Sequence, residues 1–525
     1  MGRDVLRVAA RAPSNHQMLI PHLIAVTAGS AAIRLAQPDA RYWLSTPVAW
    51  TLTGGDHVTS GLTRTVVMPL HGLEAAHNYA LAADGFKPIH FTTLSCADII
   101  SIADFGATTA TSDNSVAIQR AIDALPLGGI LYVPPGNWTT GPLFLKSDME
   151  LHLAEGATLR ARPRDDFWPI LPAQRYGVMV GSWEGRPDAC HAALITAVNA
   201  SNIAITGPGV LDGGGADSDW WTWAKGTRNG ARRARTVHLI NCTNVTLLGP
   251  TVQNSPSWTV HPQGCTGVIA AALHIRAPGD SPNTDGLNPE SCTDVRIEGV
   301  RFSVGDDCIA IKSGKRDLTN NTHLRPTSRI EVRNCLMEKG HGGVVIGSEM
   351  SGGVFDVTVR DCEMNGTDRG LRLKTRRGRG GQIARITMQD VTMNGVAVPF
   401  CANAFYHCDA DGHDDWVQSR AQAPVTDLTP QIDGILIKRT RVNGLRVALG
   451  AFLGLPEAPI RNVEIREVVV ESYDLDAVPA VPIMADHVRE MRHEGICHEF
   501  TELTTDNHSL LSRKRLGPGD PKAVA

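Results

Sequence analysis

The chain has 525 residues, enough for a large core and more than one domain, and its net charge of −4 excludes a global basic field for nucleic acid. No run approaches the ~18 apolar residues of a membrane span. Fifty-one glycines and an aromatic content of 5% favour many turns and small-residue packing over an aromatic-rich helical core.

At the N-terminus, Arg3, Arg7 and Arg11 precede Met18–Ile24. A secretory signal fits poorly, because Pro21 and His22 break the apolar run and no small-residue cleavage site follows. The cytoplasm is therefore the expected compartment, with periplasm or secretion as alternatives. Short strands are expected at 23–27, 32–35, 48–52, 65–67 and 79–81, a spacing that suits a small β-sandwich over residues 1–95. Leu73 followed by Tyr79 resembles the tyrosine corner of fibronectin type III domains.

A new unit begins near residue 96. Asp113-Asn114-Ser115 is a plausible start for a helix over 116–124, Gly128-Gly129 stops it, and Ile130–Val133 reads as a strand ending in the turn Pro134-Pro135-Gly136. From Met149 one template recurs: a polar residue, a β-branched residue, any residue, then an apolar one. It begins at Asn202, Asn244, Asp294, Arg329, Asp356 and Asn462, with 27 residues between some copies and more where loops insert. Short strands repeated without helices argue an all-β fold, a right-handed parallel β-helix over 96–475. The helix at 116–124 would cap its exposed end. Residues 476–525 are expected to form a polar C-terminal tail, poorly ordered or packed outside.

Of the 11 cysteines, Cys242, Cys292, Cys335 and Cys362 adjoin the template strands, which suggests a ladder of small, buried, reduced thiols. No CxxC pair suggests zinc or redox chemistry. Inserts near 160–192 and 212–235 hold Trp168, Trp183, Trp220, Trp221 and Trp223, and one near 400–430 holds Phe405, Tyr406, His407, Asp409 and Trp416. They can stack on sugar at a cleft wall or anchor the loops; both readings stay open.

Four segments carry the chemistry: Asn283-Thr284-Asp285-Gly286, Gly305-Asp306-Asp307-Cys308, Gly340-His341-Gly342-Gly343 and Arg372-Leu373-Lys374. If each lies on its own coil, stacking at ~4.8 Å brings three carboxylates, an imidazole and two cations to one face. Arg372 and Lys374 alternate on one strand and so share that face. Taken alone, Asp306-Asp307 reads equally as a turn or a calcium site, and Arg372/Lys374 as a solvated basic pair.

In order and spacing the four segments resemble the signatures of the polygalacturonases, glycoside hydrolase family 28, over roughly residues 100–475; where that family usually reads R-I-K, Leu373 replaces Ile. The resemblance implies a pectin-lyase-like solenoid and hydrolysis of α-1,4-galacturonosidic bonds in homogalacturonan or oligogalacturonides. It further implies Asp306 as acid, Asp285 and Asp307 as the pair that holds and deprotonates water, and His341 as the partner of the acid. Arg372 and Lys374 would bind the sugar carboxylate, and Asn283 would contact substrate or position Asp285. Three packed carboxylates repel, so at least one should hold its proton. Carboxylates on adjacent rungs sit ~5 Å apart, near the retaining spacing, whereas the resemblance implies inversion.

The N-terminal sandwich and the long inserts resemble the bacterial exo-acting members. The alternatives are endo action, a related uronate polymer such as rhamnogalacturonan or xylogalacturonan, a calcium-dependent lyase, or a non-catalytic binding β-helix. No cofactor and no metal is called for, and no nucleic acid or membrane partner. Arg376, Arg377 and Arg379 can bind further uronates or flank a loop. The sequence leaves oligomeric state open.

Overall fold

The computed structural model describes residues 18–55, 57–175 and 177–506; the expectations for Arg3, Arg7 and Arg11 and for the last residues of the chain fall outside the described residues. Seven strands come first: β1 (His22–Val26), β2 (Ser30–Arg34), β3 (Trp43–Gly54), β4 (His57–Thr65), β5 (Val67–His71), β6 (Asn78–Ala83) and β7 (Ile89–Thr92). They form two antiparallel sheets, in the orders β1-β2-β5 and β4-β3-β6-β7. Alternation puts Ile33, Leu52, Leu70, Tyr79, Leu81 and Phe91 into one small core. The Tyr79 hydroxyl accepts a hydrogen bond from the Glu74 amide at 2.8 Å, bending the chain back just before β6.

This unit packs on the flank of the second. Ile24, Ala25, Ala32 and Val67 cluster with Leu248 and Ala271. Beside them Arg34 Nη1 meets the fully buried Glu298 carboxylate at 2.5 Å.

The second unit is a parallel β-helix. A short helix, α1 (Ser115–Ala124), buries Ile118, Ala121 and Ile122 over its first coil. Its N-cap is Asn114, which makes no side-chain cap bond, and just before it the Asp113 carboxylate accepts from the Ser115 amide at 2.8 Å. Beyond it, strands stack in parallel register. Ile203, Val245, Val268, Val295, Ile330, Val357, Ile386, Ile435 and Val463 occupy one position on successive coils and are buried. This row is the β-branched position of the repeated template.

The polar residue before it has its own cause. Asn202, Asn244, Asp294, Arg329, Asp356 and Asn462 all adopt φ between 53° and 58°, where Asn and Asp carry the least penalty. Arg329 forks onto Asp294 of the preceding coil at 2.6 and 2.8 Å.

The thiols stack as expected. The amides of Cys242 and Cys265 donate to the sulfurs of Cys265 and Cys292 at 3.4 and 3.3 Å. All three are buried and unpaired.

The stack does not stop at 475. Strands Glu494–Glu499 and Thr501–Thr505 add in parallel to Ala448–Leu453 and Ile460–Val470, so the tail expected from residue 476 contributes a closing coil. Its sequence reads as polar because a terminal coil of a solenoid turns one face to water.

Candidate active site

One ladder of the β-helix positions the four segments. Its strands include Val260–Gln263, Asp307–Ile311, Gly342–Ile346, Arg369–Lys374 and Val398–Asn403. The coil between the first two joins it by bridges at Leu287 and Glu290 only. Each segment therefore falls on its own coil, at the start of a strand or within one.

Asp285 lies just before that bridged coil, and its carbonyl accepts from the Thr259 amide at 2.8 Å. Gly286 follows because a Cβ there would overlap the Cys308 carbonyl and the Phe302 ring. The Thr284 hydroxyl accepts from the Gly305 amide at 3.2 Å, tying the first segment to the second. Asp306 closes a turn by accepting from the Asp307 amide at 2.9 Å, so consecutive carboxylates both serve the site. His341 binds Asp306 twice: its amide donates to the Asp306 carbonyl at 3.0 Å, and its Nδ1 lies 3.2 Å from Oδ1.

Arg372 and Lys374 do share a face, and both are engaged. Lys374 Nζ donates to Asp307 Oδ2 at 2.7 Å, and Arg372 Nη1 lies 3.6 Å from Oδ1. Tyr406 covers the pair, its ring 5.5 Å from Lys374 Nζ and 5.7 Å from Arg372 Cζ. Asn283 is in the left-handed conformation at φ 56°, and its side-chain oxygen accepts from the buried Arg233 at 2.5 Å. Arg233 in turn donates to the Pro256 and Pro282 carbonyls.

The protons follow from the charges. Burial pushes the Asp285 carboxyl well up, and the neighbouring Asp306 charge adds to it against the pull of Lys312. Burial also works to raise Asp306, but the His341 hydrogen bond and charge, with Lys374 and Lys312, outweigh it and leave Asp306 at about 2. The same hydrogen bond, opposed by burial and reinforced by the Asp306 and Asp307 charges, raises His341 to about 9. Of the carboxyls, Asp285 is thus pushed upward, while the imidazole of His341 is raised beside a lowered Asp306. Asp285 and Asp307 are closed off, whereas the His341 side chain is 54% exposed and Asp306 22%, so the site opens there.

Sequence reasoning missed the layer beneath. Lys312 Nζ lies 3.6 Å from Asp285 and 3.4 Å from Glu349, under the Trp258 ring at 4.3 Å. Asn288 donates to Asp285 Oδ2 at 2.9 Å. The available signal was a lysine ending the buried run Asp307–Ile311, since such a charge needs a partner.

The open alternatives resolve toward anchoring. Arg376 pairs with Asp411 at 2.8 Å, Arg377 with Glu457 at 2.6 Å, and Arg379 with Asp409; all three arginines are buried and hold the 400–430 insert down. Trp168, Trp183, Trp220 and Trp223 are buried too, and Trp183 is flanked by Arg232, Arg233 and Arg235 within 5.3–5.9 Å. Trp416, 47% exposed, is the loop tryptophan of the third insert that faces solvent.

A sequence profile of glycosyl hydrolases family 28 matches residues 135–429. The "Probable polygalacturonase" of Vitis vinifera is 32% identical over 394 residues, 73% of this chain and 77% of that one. A hyperthermoactive exopolygalacturonase from Thermotoga maritima superposes with a TM-score of 0.63 at 28% identity, over 78% of this chain and 90% of that chain. The family 28 exopolygalacturonase of Yersinia enterocolitica shares the fold at 20% identity, with a TM-score of 0.65 over 94% and 99% of the two chains.

Proposed function

The chain belongs to glycosyl hydrolases family 28 and is a polygalacturonase, and from that premise we propose that it removes galacturonate units from the ends of homogalacturonan or oligogalacturonide chains with inversion. The observation that carries the catalytic part is the convergence of Asp285, the Asp306–His341 pair and the Asp307–Lys374–Arg372 cluster on successive coils.

In this reading Asp306 protonates the leaving oxygen. The free site stores that proton on His341, 3.2 Å away. A bound sugar strips water from the exposed edge, and loss of water disfavours two separated charges. The proton then moves from Nδ1 to the Asp306 oxygen, giving a neutral acid beside a neutral imidazole. Asp307, with Asp285, holds and deprotonates the attacking water, taking its proton as the glycosidic bond breaks. Asp307 takes that proton, and Asp285, whose carboxyl burial pushes well up, helps hold the water by hydrogen bond. Arg372 and Lys374 offer the sugar carboxylate a fork and a point charge.

End-directed action is supported by Tyr406 and Met484, which close over the cationic pair, and by the anchoring of the 400–430 insert beside them. The 28% identical Thermotoga maritima exopolygalacturonase points the same way. The N-terminal unit reads as fibronectin type III-like from its three- and four-stranded antiparallel sheets and the Tyr79–Glu74 bond.

The test follows products and viscosity together on long homogalacturonan. Release of mono- or digalacturonate with slow viscosity loss is expected; rapid viscosity loss refutes end-directed action. Asp306→Asn should lower turnover at least ~10²-fold with binding retained, and NMR of the first-formed anomer should show inversion.

A further inference from the structure

A second group of ligating side chains lies outside the site. His407, His413 and Asp486 each offer a donor atom, and these atoms lie within 4.8 Å of one another. We propose that they hold a divalent transition-metal ion of the zinc class, which latches the 400–430 insert to the segment that carries Asp486.

The loop between the histidines is shaped to bring them together. Gly412 approaches so closely that a Cβ there would sit 2.6 Å from the His407 backbone, and its amide donates to the Asp409 carbonyl at 2.9 Å. Only glycine permits that fold-back, which leaves the two imidazoles stacked at 4.3 Å between centroids. His413 Nδ1 faces both Asp486 oxygens at 2.9 and 3.0 Å. The acids within the loop do not compete, because Asp409 turns to Arg379 and Lys315 and Asp411 to Arg376.

The two segments are also held in place independently of any ion. The buried Gln418 donates to the Phe405 and Gly412 carbonyls, each at 2.7 Å, and accepts from the Asp486 amide at 3.0 Å. Arg420 donates to the Asp486 carbonyl at 3.0 Å. The backbone of the cluster is thus positioned, while the His413 side chain, 64% exposed, is free to adjust.

Two imidazoles and a carboxylate suit a borderline ion and leave one position for water. Bonds of ~2.1 Å at a tetrahedral ion set donors roughly 3.4 Å apart, so binding parts the His413–Asp486 pair slightly from its 2.9 Å and draws in any donor standing farther off, none beyond 4.8 Å. The latch would reach the main site through the chain. His407 follows Tyr406, which covers Arg372 and Lys374. Asp486 lies two residues from Met484, whose sulfur accepts from Arg372 at 3.0 Å and whose carbonyl accepts from Asn403 at 2.8 Å.

The experiment uses untagged full-length protein stripped with chelator. Calorimetric titration with Zn²⁺ should show saturable uptake near one equivalent, and Co²⁺ should give the strong visible bands of a four-coordinate ion. His413→Ala and Asp486→Asn, each at a side chain reached by solvent, should weaken uptake at least ~10-fold. Proteolysis within the loop should slow when zinc is added to the wild type. Non-saturating uptake, weak cobalt bands, or uptake unchanged by both substitutions overturns the proposal and leaves a plain imidazole–carboxylate pair.

Discussion

Lys312→Met removes the one buried cation that lies between Asp285 and Glu349. The lysine is 4% exposed, and its Nζ stands 3.6 and 3.4 Å from the two carboxylates. Burial works to raise the Glu349 carboxyl, but Lys312 first and Lys374 next hold it below the usual 4.5. Without the lysine the folded protein escapes a buried, unpaired charge by protonating Glu349. Protonating a group of ordinary pKa 4.5 at pH 7 costs about 3.4 kcal/mol, at 1.36 kcal/mol per unit. That agrees with the ~3–5 kcal/mol expected when one partner of a buried pair is removed. At pH 5 the same cost falls to roughly 0.7 kcal/mol.

The variant's folded state then carries a proton that its unfolded chain lacks, so its stability falls as pH rises. In the wild type Glu349 acts in the opposite sense: its lowered pKa contributes stability above 4.5 that is lost as pH falls through the folded value. Urea unfolding at pH 5 and pH 7, followed by tryptophan fluorescence, should therefore show a deficit several-fold larger at pH 7. Lys312→Met combined with Glu349→Gln should recover most of it and show little pH dependence, because both charges are gone. A single-variant deficit equal at the two pH values would refute the reasoning.

The His341 ring should titrate near 9 by NMR, and kcat/KM should fall above that pH as the stored proton is lost; a ring pKa at or below 6.5 contradicts the pairing with Asp306. Because its folded value is raised, His341 contributes stability that is complete below 6.5 and lost as pH climbs through about 9. Arg34→Met should strand Glu298, whose side chain is 1% exposed, and cost roughly 3 kcal/mol or more. Cleavage by protease between the N-terminal unit and the β-helix should rise with it, and an unchanged digestion pattern counts against that contact as a docking point.

What could be read from the sequence divides along a physical line. The coil stack was legible because a β-branched residue must recur at one inward position and a left-handed turn before it favours Asn or Asp. Asp285, Asp306, Asp307, His341, Arg372 and Lys374 were legible for a related reason: Asp306, Asp307 and His341 fall at or just before a strand start, Arg372 and Lys374 on an alternating strand and Asp285 just before the bridge at Leu287, so their order along the chain is their order across neighbouring coils. Partnership was not legible. Lys312 and Glu349 meet across 37 residues and Arg377 and Glu457 across 80, distances set by insert lengths that no local pattern encodes. From sequence, Arg376, Arg377 and Arg379 could therefore equally bind further uronates or flank a loop, although each pairs with a carboxylate well removed along the chain.

The closing coil failed for the converse reason, since its Thr-Glu-Leu-Thr-Thr strand follows the rule for an exposed end and not for a core. The consequence reaches the chemistry. A cation near a site is available to an anionic sugar only to the extent that the fold leaves it unsatisfied; Arg372 and Lys374 already share Asp307 beneath the Tyr406 ring, so a sugar carboxylate has to compete with Asp307 for them.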